Sequence, residues 1–173
     1  MWVIKLRSSV YKLCQFVYVK TSNINMNLFS GFSTTRQENE TSFSPAEAFA
    51  AITLATVAAD GYLSDDEALV MMSSLTRMEL FRSYSSDVMR RLFDKLCGIT
   101  KRQGNEVLLK KAIASLPNHL HDTAFAIATD LILADGKVTT EEENLLHYLY
   151  NQLNINEEQA KTIVDVMIIK NKG

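Results

Sequence analysis

The chain has 173 residues, 47% of them hydrophobic, a formal charge of -2 and two cysteines. A chain of this length buries roughly 70% of the surface it exposes when unfolded, so it forms one core without disulfide or metal staples. Cys14 and Cys97 stand far apart, with no CxxC or Cys/His ligand spacing, which speaks against a disulfide framework or a zinc site and fits a reducing cytoplasm.

The chain opens on a basic leader. Lys5, Arg7, Lys12, Lys20 and Arg36 face no acid before Glu38, and from there on 20 acidic residues stand against 13 basic ones. An acidic body argues against nucleic acid as a partner, because phosphate binding draws on clustered Lys and Arg. In MWVIKLRSSVYKLCQFVYVK, charges interrupt every apolar run, which is not the pattern of a secretory signal. The longest nearly apolar run, Ala48 to Ala59, is shorter than the roughly 20 residues a bilayer core requires, so no integral membrane segment is expected. Two readings stand for residues 1–25: a basic membrane-surface helix, or residues upstream of a native start at Met26, where a polar, flexible leader begins. The expected division is a leader over 1–43 and a helical domain over 44–173.

From Ser44 the pattern is helical. Ser44, Pro45 and Glu47 form a capping box with proline at the first helical position, opening a small-residue helix to Asp60 that Gly61 stops. Ser64 with Glu67 caps a second helix running to Met78. A third starts near Ser86 and ends at Gly98, with Val88, Leu92, Phe93 and Leu96 at helical spacing. A polar turn and a short helix ending before Pro117 follow. Then come a helix from His121 to Asp135, one capped by Thr139 with Glu142, and one opened by a further capping box, Asn156 to Gln159. The expected fold is an all-α, single-domain bundle of about seven helices, with two pseudo-symmetric helical hairpins.

The hairpins are suggested by a repeat. ADGYLSDDE, from Ala59, aligns with ADGKVTTEE, from Ala134: Asp60 with Asp135, Gly61 with Gly136, Leu63 with Val138, Ser64 with Thr139 and Glu67 with Glu142. The preceding helices match at Ala51 and Ala126, Ile52 and Ile127, and Val57 and Ile132. Placed on an EF-hand loop, each glycine puts Asp60 or Asp135 just before it and Glu67 or Glu142 at the final bidentate position. The first ligand positions would be Thr56, Ala58, Leu131 and Leu133, which carry no carboxylate, so an ordinary EF-hand is excluded. Two readings stay open. In one, Glu67 and Glu142 only cap helices and favour their positive ends. In the other, Asp60, Glu67, Asp135 and Glu142 bind a divalent ion (Ca, Mg, Mn or Zn), with Asp65, Asp66, Asp130, Glu141 and Glu143 adding to the acidic groups.

The motif ADG-x-hydrophobic-S/T-x-x-E, occurring twice in a helical chain, resembles the TerB-like family of tellurite resistance proteins and their relatives, over about Ser44 to Lys170. The resemblance implies an all-α fold, no enzymatic activity, an acidic face binding divalent metal, a stress-response or tellurite-resistance role, and a protein partner near the membrane. A related helical domain begins a membrane-anchored DnaJ-type co-chaperone, so the fold also serves as an interaction module. This chain shows neither a J domain nor an anchor.

Other signals are weaker. His119, His121 and Asp122 read as a metal set or as surface and capping groups, and His147 as a partly buried packing residue. Met71, Met72, Met78 and Met89 read as core filling. Arg77, Arg82, Arg90 and Arg91 read as a solvated face or a partner patch. No G-x-S-x-G elbow or Gly-rich phosphate loop supplies an enzymatic motif.

Overall fold

The computed structural model describes residues 42–59, 63–134 and 138–172. Seven α-helices are found among them: α1 Pro45–Val57, α2 Asp65–Thr76, α3 Ser86–Gln103, α4 Asn105–Ser115, α5 His121–Ile132, α6 Thr140–Gln152 and α7 Glu157–Lys170. Two single 3₁₀ turns, Glu79–Phe81 and Asn118–Leu120, join α2 to α3 and α4 to α5, and no strand occurs among the described residues. The fold is an all-α bundle, as the helical spacing predicts. Residues 1–41 of the expected 1–43 leader lie outside the described residues, and its last residue, Phe43, is buried in the core.

Helix α1 sits at the centre. Its capping box is formed: Ser44 Oγ accepts from Glu47 N–H at 3.3 Å, and Glu47 Oε2 accepts from Ser44 N–H at 2.9 Å. Every residue from Ala46 to Val57 except Glu47 is buried. Alanines let neighbouring backbones come close on all sides, and α2, α3, α4 and α5 all pack on α1. Thr53 and Thr56 tolerate this burial because their hydroxyls donate to Phe49 O and Ile52 O at 2.8 and 2.9 Å. Phe49 meets Phe81 of the first 3₁₀ turn edge to face, with ring centroids 6.2 Å apart.

The partners of α1 are fixed at both ends. Phe43 N–H donates to Ser115 Oγ at 3.2 Å, and Asn105 Nδ2 donates to Ala55 O at 3.0 Å, so α4 runs antiparallel to α1. Helix α7 lies along α5 in the same direction, tied by Gln159 to Asp122 near its start and by Lys170 and Asn171 to Asp130 near its end.

Several helix ends differ from the sequence reading. Helix α1 ends at Val57, with Ala58 N–H closing back on Leu54 O and Thr56 O, rather than at Asp60. Helix α3 passes through Gly98 to Gln103 and stops at Gly104, whose φ of 89° needs a glycine. An interior glycine costs only about 1 kcal/mol against alanine, and Cys97 and Ile99 on either side of it pack against the core. Helix α2 ends at Thr76, because Met78 opens the 3₁₀ turn that brings Phe81 onto the core.

The Glu47 carboxylate bonds Lys95 Nζ of α3, which also lies 5.6 Å from the Phe43 ring centroid. Burial acts to raise the Glu47 carboxyl, but the bond from Lys95, the Ser44 N–H and the lysine's charge together hold it below its ordinary value. A carboxyl lowered by folding contributes stability that is full above the ordinary carboxylate range and lost as pH falls through the lowered value. Glu47→Gln is therefore expected to cost about 1 kcal/mol or less at neutral pH. It should also flatten the loss of stability between about pH 5 and about pH 3, measured by urea denaturation across that range.

Candidate functional site

The two acidic corners begin with the same local chemistry. At the first, Ser64 Oγ accepts from Glu67 N–H at 3.2 Å, while Glu67 Oε2 accepts from Ser64 N–H at 2.7 Å and Ser64 Oγ–H at 2.6 Å. At the second, Thr139 Oγ1 accepts from Glu142 N–H at 3.2 Å, and Glu142 Oε2 accepts from Thr139 N–H at 2.8 Å and Oγ1–H at 2.9 Å. Both glutamates thus use one oxygen fully as a cap, so a bidentate role of the EF-hand kind is closed to them and only Oε1 remains for a ligand. Asp60, Gly61, Asp135 and Gly136 lie outside the described residues.

The surroundings of the two corners differ. Leu63 is buried at 8% exposure whereas its counterpart Val138 is 47% exposed. Glu67 and Glu142 are half-buried, while Asp65, Asp66, Glu141 and Glu143 are exposed. No ion pair between described residues involves any of these six acids, although Glu47, Glu79, Asp87, Asp94, Glu106, Asp130 and Glu157 all have a basic partner. Asp130 does not add to the second acidic group: its carboxylate is held by Lys170 Nζ at 2.7 Å and Asn171 Nδ2 at 2.9 Å.

Asn105 adds a group that the sequence reading passed over. Its Nδ2 donates to Ala55 O and, at 3.5 Å, to Ala58 O, capping the end of α1 from which the first corner leaves. Its Oδ1 is buried without a hydrogen-bond partner among the described residues. Gly104 before it, with no side chain to cap α4, was the local hint; the contact spans 50 residues and has no local signature. Among the described residues no three His, Cys, Asp or Glu side chains converge as a metal-binding group.

The histidines do other work. His121 has Nδ1 2.9 Å from Leu153 O and Nε2 3.2 Å from Leu116 O, so the ring sits between the ends of α4 and α6 at the start of α5 and its N–H donates to one of these carbonyls. His119 is exposed, and Asp122 accepts from Gln159 Nε2. His147 is exposed rather than packed, because the inner side of α6 is taken by Leu145, Leu146 and Leu149. Met71 and Met89 are core residues, and Met72 and Met78 are partly buried and pack against the core. Arg82 and Arg90 pair with acids on their own turns.

No protein-family model, curated protein or solved structure matches the chain. No helix among the described residues is long and apolar enough to cross a membrane.

Replacing Ser64 or Thr139 by Ala removes one N-cap each and is expected to cost about 1 kcal/mol. The half-buried Ser64 should cost more than the exposed Thr139. Urea midpoints of the two single variants and the double variant would show this order and near-additivity.

Proposed function

We propose that this chain is a TerB-like, non-enzymatic stress-response protein of the tellurite-resistance kind, working in the cytoplasm, with a divalent cation held at its acidic corners. The observation that carries this reading is the buried, unpartnered Asn105 Oδ1 beside the end of α1. An orphaned buried oxygen is costly unless something completes it, and here it lies where a corner rich in unpaired carboxylates leaves the helix. Asp60, Glu67 through Oε1, and Asn105 through Oδ1 would hold the ion at the first corner; Asp135 and Glu142 would do so at the second. All are hard oxygen donors, which suit calcium or magnesium and accept manganese. The matched capping boxes support reading the two corners as one repeated unit.

A second reading has its own support: a helical interaction module, adaptor or co-chaperone-like, in which the glutamates are caps only. The engagement of Oε2 of both Glu67 and Glu142 by their own N-cap residues favours it.

Calorimetric titration and thermal melting with calcium, magnesium, manganese and zinc separate the two. At a hundredfold excess over Kd, an ion bound only by the folded chain adds about 2.7 kcal/mol, or about 5–10 °C in Tm for a chain of this size. The first reading expects that rise with at least one ion and its loss in Asp60→Asn with Asp135→Asn. Absence of heat and of a Tm shift with all four ions would leave the adaptor reading standing.

A further inference from the structure

Three large apolar side chains near the end of α7 remain exposed: Val166 at 51%, Ile168 at 37% and Ile169 at 69%. Helix α7 packs on α5, with Ala160, Ile163, Val164 and Met167 turned inward. Thr162, Val166 and Ile169, at spacings of four and three, form a second stripe left exposed on the outer side. The charges beside it are unbalanced. Lys161 pairs with Glu157 and Lys170 with Asp130, while Glu158 and Asp165, two turns apart on one face, enter no ion pair between described residues.

The complementary pattern occurs in the same chain, before the described residues. Val3, Leu6, Val10, Leu13 and Val17 recur at alternating spacings of three and four, the a and d pattern of a heptad. Lys5, Arg7, Lys12 and Lys20 accompany them without an acid. Residues 21–41 can extend about 70 Å, roughly twice the diameter expected for a bundle of this size, so the tether does not limit where the segment lands.

We infer that residues 2–17 dock their apolar stripe on Thr162, Val166 and Ile169 of α7, with their basic side chains set against Glu158 and Asp165. Docking covers the most exposed apolar surface of the bundle and places the two unpaired acids beside cations. It also gives the basic leader a place on an acidic body.

Trp2 is the only tryptophan, so its fluorescence reports on the segment alone. In the full chain we expect blue-shifted emission and weak quenching by acrylamide. Val166→Glu with Ile169→Glu, at exposed positions that leave the core intact, should shift the emission to the red and raise the quenching constant several-fold. Glu158→Lys with Asp165→Lys should weaken docking, and Lys5→Glu, Arg7→Glu and Lys12→Glu in that background should restore it. The inference fails if Trp2 of the native chain is quenched as freely as in a synthetic peptide of residues 1–20. It fails equally if sedimentation shows a dimer that Ile169→Glu dissociates, since a second copy would then cover α7. It fails too if Trp2 becomes protected only when phosphatidylglycerol vesicles are added.

Discussion

The structure depends on burying α1 from every side. A helix without a polar face has no stable place at a surface, so the remaining helices must supply a shell around it, and α2, α3, α4 and α5 do so. The alanines on α1 lower the side-chain entropy lost on burial and let backbones approach closely. The two buried threonines return their hydroxyls to α1's own carbonyls, so the centre of the bundle carries no unmet polar group from this helix. What α1 cannot satisfy are the carbonyls at its C-terminal end. Asn105 reaches across from α4 to two of them. The architecture thereby leaves an amide oxygen without a hydrogen-bond partner among the described residues beside the end of the central helix.

The same logic explains why the acidic residues at the corners are placed as they are. Three acids in the first turn of α2 and three in that of α6 lie against the positive ends of those helices, where negative charge is favourable. One of each three is used for capping. The others gain from the dipole but repel one another, and they enter no ion pair between described residues. Glu47 and Asp130 instead pair with lysines of other helices, Lys95 and Lys170. The contrast is between acids that fasten helices together and acids left facing solvent at the turns.

Much of the fold was legible in the sequence because it was written locally. Capping boxes at Ser44, Ser64 and Thr139 marked the starts of three helices and are formed as read, whereas the box expected from Asn156 to Gln159 is half formed: Asn156 caps α7, but the Gln159 side chain turns to Asp122. Helix ends were less legible. Gly98 looked like a stop, but it keeps a helical backbone with Cys97 and Ile99 on either side packed against the core, and a positive φ comes only at Gly104. Contacts between distant residues left no local trace. The hold of His121 on Leu116 and Leu153, the capping of α1 by Asn105 and the pairing of Lys95 with Glu47 follow from how helices meet, which no short window of sequence encodes. The candidate site was legible only in part: the capping role of Glu67 and Glu142 followed from spacing, whereas Asn105 became visible only once α4 was laid against α1.

Sequence likeness between the two corners does not make their environments alike. Ala51 and Ile52 are fully buried on α1, while their counterparts Ala126 and Ile127 on α5 are only half-buried, because α1 is enclosed and α5 is a face of the bundle. Leu63 is drawn into the core and Val138 is left in water for the same reason. Desolvation strengthens every electrostatic interaction at a site and raises the cost of leaving an oxygen without a partner. Under the proposed cation-binding reading, the corner attached to the enclosed helix is the one that would hold an ion more firmly, and the solvated corner the one whose residues would serve mainly to start a helix. If the two corners descend from one unit, burial of one helix and exposure of the other is enough to separate their roles without any change in the motif itself.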